Sequence, residues 1–132
     1  MKTILFISMA LLGPLFPPAA TQAPVALDDV CRAIGVGNIT ELATVMDEEV
    51  ELNILDKEDL YSRTDAVAAL KTFFSDVTPS SFGKVHQGAS KSADAEYCIG
   101  TLATAKGPFT VYVYVAKRPG GVLLQELRFE RK

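Results

Sequence analysis

The stretch Asp94–Glu130, DAEYCIGTLATAKGPFTVYVYVAKRPGGVLLQELRFE, decides the fold. It reads as three long antiparallel strands, Asp94–Ala105, Phe109–Lys117 and Val122–Glu130, rich in β-branched and aromatic residues and separated by glycine- and proline-marked breaks. Taking Lys106-Gly107 as a two-residue hairpin loop sets Ala105 opposite Pro108. Cys98, Gly100 and Leu102 then share a face with Val111, Val113 and Val115. A turn at Arg118–Gly121 that sets Val115 against Leu123 adds Leu123, Gln125, Leu127 and Phe129 to that apolar face. The opposite face carries Tyr97, Ile99, Thr101, Tyr112, Tyr114, Leu124, Glu126 and Arg128. Tyr97, Tyr112 and Tyr114 fit a partner interface, where tyrosine gives large area with a polar tip. They fit equally an ordinary solvent-facing strand surface.

The elements upstream of this sheet need it for their own burial. Leu27, Val30, Cys31 and Ile34 fall on one helical face, and Gly35 and Gly37 are expected to stop that helix. Asn38 is placed to cap a second short helix, whose apolar side is Ile39, Leu42, Ala43 and Met46. Val50, Leu52 and Ile54 alternate with Glu51 and Asn53, as in a half-buried strand. Asp56–Asp59 reads as a charged turn and Leu60-Tyr61-Ser62 as a short return strand. Thr64 is the expected N-cap of a stronger helix that runs through Val67, Leu70, Phe73, Phe74 and Val77 to Thr78-Pro79. Phe82–Gln87 then opens the main sheet, and Gly88–Ala93 is a polar turn.

This order of elements resembles the cone-shaped superfamily named after nuclear transport factor two. Gly37-Asn38-Ile39-Thr40-Glu41-Leu42, with Met46-Asp47-Glu48-Glu49-Val50-Glu51-Leu52 after it, looks like that superfamily's passage from second helix to first strand. Arg63-Thr64-Asp65-Ala66-Val67 resembles its third-helix start. The chain is also similar to small secreted proteins of Bacteroidetes that carry a domain of unknown function. The resemblance implies an α+β cone, with N-terminal helices packed on a long curved antiparallel sheet, and it implies no activity, since the superfamily holds enzymes, binders and assembly domains. Ketosteroid isomerase, one of its enzymes, pairs a carboxylate base with a tyrosine and a protonated aspartate. Here the base position falls at Asn53 or Ile54, neither a carboxylate, and the first helix has no tyrosine.

The beginning of the chain has a different character. Lys2, an apolar run Ile4–Phe16 and the small residues Ala19, Ala20 and Ala23 are the parts of a secretory signal peptide. The run is short for a bilayer and is interrupted by Gly13 and Pro14, so no stable membrane span is expected. The expected organisation is a leader over residues 1–23, cut after Ala20 or Ala23, and a single domain over 24–132, secreted or periplasmic. The 13 basic and 16 acidic residues give a net charge of −3, which argues against a general nucleic-acid binder.

Few residues invite chemistry. His86 is the only histidine, so a histidine-rich metal site is excluded by count; it reads as a surface strand residue or as a lone general base. Asp47–Glu51 and Asp56–Asp59 lack the alternating ligands and glycine of a calcium loop, and no phosphate loop is present. No metal and no cofactor are expected. Cys31 and Cys98 both fall on core-facing positions; export permits a disulfide between them, and two buried thiols are the alternative. Gln125 breaks an apolar strand face and is expected to line a pocket between helices and sheet, with Tyr61 and His86 as neighbours. The expected function is non-enzymatic binding of a small apolar ligand or a protein partner, with homodimerisation through the tyrosine face. An isomerase- or hydrolase-like enzyme in the same cavity, or a dimeric structural module with a filled cavity, are the alternatives.

Overall fold

The computed structural model describes Gly13 and residues 24–132. The expected leader, 1–23, therefore lies outside the described residues apart from Gly13. The elements follow in the order α1 (Leu27–Val36), α2 (Ile39–Val45), β1 (Met46–Ile54), β2 (Lys57–Ser62), α3 (Arg63–Val77), β3 (Pro79–Ala89), β4 (Ala95–Thr104), β5 (Phe109–Arg118) and β6 (Gly121–Arg131). The six strands among the described residues join one sheet in the order β2-β1-β6-β5-β4-β3. Its pairings are antiparallel except that β1 runs parallel to β6. The three helices pack on one side of this sheet as an α+β cone, and the buried core lies between the two layers.

The helices form where the spacing predicts. Asn38 caps α2 by accepting the Glu41 N–H at 3.1 Å, and its amide donates to the Glu41 carboxylate at 3.2 Å. Gly37 sits at φ 67° past the end of α1, the left-handed position glycine favours. Gly35, expected to end the helix, lies inside it, because α1 needs a residue without Cβ where it crosses β3. A Cβ there would come within 2.9 Å of the Phe82 backbone nitrogen. The cap of α3 is Ser62 rather than Thr64: the last residue of β2 keeps extended backbone and accepts the Asp65 N–H at 3.2 Å.

Two strand registers differ from expectation. The β4–β5 turn is centred on Ala105-Lys106, one residue earlier than Lys106-Gly107, so Cys98 faces Val113 and Leu102 faces Phe109. Thr104 Oγ1 accepts the Lys106 N–H at 3.1 Å and donates to the Gly107 carbonyl at 2.6 Å. Gly107 takes φ 101° directly after the turn, the usual glycine position in a hairpin of this kind. The resulting slide is two residues, which preserves the faces. In β6 the alternation itself breaks. Val122 and Leu124 are buried ahead of Gln125, Leu127 and Phe129 after it, so core-facing positions change from even to odd. Gln125 is the extra residue of a bulge against β5, where Tyr114 pairs with Glu126 but Val115 pairs with Leu124. Leu124, expected on the outer face, is consequently fully buried. The same residue lies opposite an irregular stretch of β1, between Met46 and Glu51.

Candidate functional site

The space between helices and sheet is occupied by aromatic rings. Phe73 of α3 meets Phe109 edge-on at 5.5 Å and Phe129 at 5.0 Å, while Phe74 meets Phe129 edge-on at 5.8 Å. These separations are those of favourable tilted and T-shaped pairs, and all four residues are buried. Leu70, Leu102, Val111 and Leu127 complete the packing, and among the described residues no charged or polar residue is buried.

Among the described residues no element packs on the other side of the sheet. Tyr112 and Tyr114 on β5 keep 37% and 38% of their surface, with Tyr97, Ile99 and Thr101 of β4 beside them at intermediate exposure. Tyr97 pairs directly with Tyr114, and Ile99 with Tyr112. Tyr97 also lies across Gly88, where any Cβ would come within 2.5 Å of its hydroxyl. The hydroxyl meets His86 Nε2 at 3.1 Å, which fixes the ring at the β3 side of the face. Toward β1 the face turns acidic. Glu51 pairs with Glu126, and the negative charge of Glu126, followed by a hydrogen bond with Glu58, raises the Glu51 carboxyl above its ordinary range. Arg128 stands among these groups, 3.7 Å from Glu58, 3.8 Å from Glu126 and 4.0 Å from Glu130, with its guanidinium 6.0 Å from the Tyr112 ring centre. Lys132 lies at the opposite side, its Nζ donating to Thr101 Oγ1 at 3.0 Å.

Tyr61, His86 and Gln125 are not brought together. Tyr61 on β2 faces the helices beside Val50 and packs against the core. His86 belongs to β3, at the other edge of the sheet, and faces away from the helices. A bulge at Val85, between the pairs Lys84–Gly100 and His86–Ile99, turns it outward where strict alternation would send it inward. Gln125 donates to Asp47 Oδ2 at 3.1 Å, and this bond is the first cause holding the Asp47 carboxyl below the usual carboxylate range. One pocket between helices and sheet therefore does not contain all three.

Cys31 of α1 and Cys98 of β4 do meet, with their sulfurs 2.9 Å apart and both side chains buried. Cys31 also forms part of the wall of an open hollow of about 480 Å³ between α1 and β3, with Asp28, Arg32, Ser81, Phe82 and Lys84. Lys84 is ion-paired with Asp28, which raises the Lys84 pKa. Sequence reasoning missed Lys84 and Asp28 as neighbours of this thiol pair. Asp28 stands one helical turn before Cys31 and was legible by spacing; Lys84 was not, because its inward direction depends on the register of β3. Among the described residues no group of three or more histidine, cysteine or carboxylate side chains is arranged to hold a metal ion. Among the same residues no helix is long and apolar enough to cross a membrane.

The profile of the family described as domain of unknown function DUF4783 matches residues 27–130. A DUF4783 family protein from Bacteroides fragilis is 30% identical, with a TM-score of 0.70 over 76% of this chain and 92% of that one. One from Bacteroides uniformis is 27% identical, with a TM-score of 0.73 over 80% and 96%. A designed protein of the nuclear-transport-factor-two type, "Rd1NTF2_04 with long sheet", shares the fold at 16% identity, with a TM-score of 0.61 over 77% and 94%. Among proteins with curated descriptions none matches the chain.

Proposed function

The chain belongs to the DUF4783 family, and we propose that it is an exported, non-enzymatic binding domain whose working surface is the outer sheet face, which pairs with a second copy of itself. The observation that carries this reading is the exposed pair Tyr112 and Tyr114 at the centre of a sheet face that no element among the described residues covers, with the opposite side filled by Phe73, Phe74, Phe109 and Phe129. A small apolar ligand would have to displace those rings, and catalysis in that space would need converging titratable groups where the buried residues are apolar.

The charge layout favours a self-complementary contact. Glu51, Glu58, Glu126 and Glu130, with Arg128 as the one cation among them, lie to one side of the tyrosines, His86 and Lys132 to the other. A two-fold axis through the tyrosine strip sets each acidic half against the partner's less acidic half. Sedimentation equilibrium of the wild type and of Tyr114→Glu tests the reading. A wild-type dimer whose dissociation constant rises at least tenfold in the variant is expected, a change of about 1.4 kcal/mol. A monomeric wild type, or a dimer indifferent to Tyr112 and Tyr114 substitutions, overturns it.

A further inference from the structure

The two sulfurs of Cys31 and Cys98 occupy unequal positions. Cys31 keeps 4% of its surface and reaches the hollow between α1 and β3, whereas Cys98 keeps 0% and stands behind it on the central sheet. The thiols are within hydrogen-bonding distance, at 2.9 Å. Their surroundings separate them further. The hydrogen bond with Cys98 holds the Cys31 thiol below its ordinary range, with help from the Lys84 charge and against the effect of burial. The same hydrogen bond, with burial, pushes the Cys98 thiol up. The hollow offers both signs of charge, Lys84 and Arg32 against Asp28, in about 480 Å³. That is room for a small zwitterionic molecule.

We infer that Cys31 and Cys98 form a thiol–disulfide exchange site, where Cys31 takes a low-molecular-weight cysteinyl disulfide from the hollow and Cys98 resolves the adduct. This goes beyond the binding reading and lies on the opposite side of the sheet from the tyrosine face. In the first step Cys31, as thiolate, attacks one sulfur of the small disulfide; a mixed disulfide forms, the small S–S bond breaks, and one small thiolate leaves. In the second, Cys98 loses its proton and attacks the Cys31 sulfur, and the second small thiolate leaves. The protein thereby gives up two electrons and two protons, and the small disulfide becomes two thiols. The oxidised pair ties α1 to β4.

The test uses the full chain, reduced and freed of reductant, with oxidised glutathione as the probe. A brief pulse of alkylating agent on native wild type, followed by peptide mapping, is expected to label Cys31 at least tenfold faster than Cys98. With glutathione disulfide the wild type is expected to lose two hydrogens in intact mass, with the adduct seen only in passing. Cys98→Ala is expected to hold one glutathionyl group on Cys31, and Cys31→Ala to hold none. Equal labelling of the two thiols in the wild type, labelling of neither without denaturant, or an adduct on Cys98 in Cys31→Ala overturns the inference. The wild-type labelling ratio decides even where a variant fails to fold.

Discussion

Gln125 donates to Asp47 where β6 loses register with both of its neighbours, β5 on one side and β1 on the other. The bond fastens the slipped stretch of β1 to the bulge. Its energy has a definite pH dependence. The Asp47 carboxyl is held below its unfolded value, first by Gln125 and then by the Glu48 N–H, so its contribution is present above the unfolded aspartate pKa of about 3.9 and is lost as pH falls through the lower folded value. Gln125→Met keeps the volume and removes the donor. The expected loss is about 0.5–1 kcal/mol at pH 7, discounted for a carboxylate that water still reaches. Near pH 2 the difference between variant and wild type should shrink toward zero. Urea unfolding at the two pH values measures it, and an equal difference at both would show that Gln125 acts through packing instead. The sequence marked Gln125 as the anomaly on an apolar face but did not reveal its partner. A count of alternate residues assumes that none is extra, and both bulges, at Gln125 and Val85, violate that assumption. The same blindness put Leu124 on the outer face and His86 on the inner one, while the distance of His86 from Gln125 comes from the strand order, which sets β5 and β4 between them.

At the scale of elements, α1 is seated on β3 by a close approach of two backbones, and Gly35 makes it possible. An added methyl there gains helix propensity of about 1 kcal/mol but collides with the Phe82 backbone, an overpacking cost of about 1–3 kcal/mol. The collision wins, because a backbone nitrogen cannot rotate away as a side chain can. Gly35→Ala is therefore expected to destabilise the protein by about 1 kcal/mol. Gly83→Ala on the same strand, where a Cβ meets nothing within 4 Å, is expected to be neutral or stabilising by up to about 1 kcal/mol. Denaturant midpoints of the two variants check the pair, and a Gly35→Ala protein as stable as Gly83→Ala would remove the seat from the account. Helices α1 and α3 were legible because their apolar spacing is regular over their length, and the short α2 because Asn38 was legible as its cap, although Met46, expected on its apolar side, opens β1 instead. The β4–β5 register was not, because Thr104 directs the turn by side-chain hydrogen bonds that composition does not specify. Its two-residue slide left the faces correct, so the tyrosine face was legible even though the partners were misassigned.

The whole molecule keeps its two proposed roles on opposite sides of one sheet. Cys31 and Cys98 lie on the helix side, within the core, while Tyr97, Tyr112 and Tyr114 lie on the far side. Joining cysteines 67 residues apart restricts the unfolded chain far more than the folded one, whose sulfurs already meet. In the chain-entropy description that stabilises the fold by about 4 kcal/mol. The oxidised protein should therefore unfold at a clearly higher urea concentration than the reduced one, and Cys98→Ala should show no dependence on reductant. Self-association should not follow the same switch. Cys98 is fully buried and its neighbours across the strands, Val113 and Gln87, lie on its own side of the sheet, so closing the bond adds nothing to the tyrosine face. Sedimentation of oxidised and reduced protein should give the same dissociation constant, although their unfolding midpoints differ. A dimer that weakens when the thiols are reduced would mean that the sheet transmits the state of its inner side to its outer one, and the two roles would then have to be read as one regulated device.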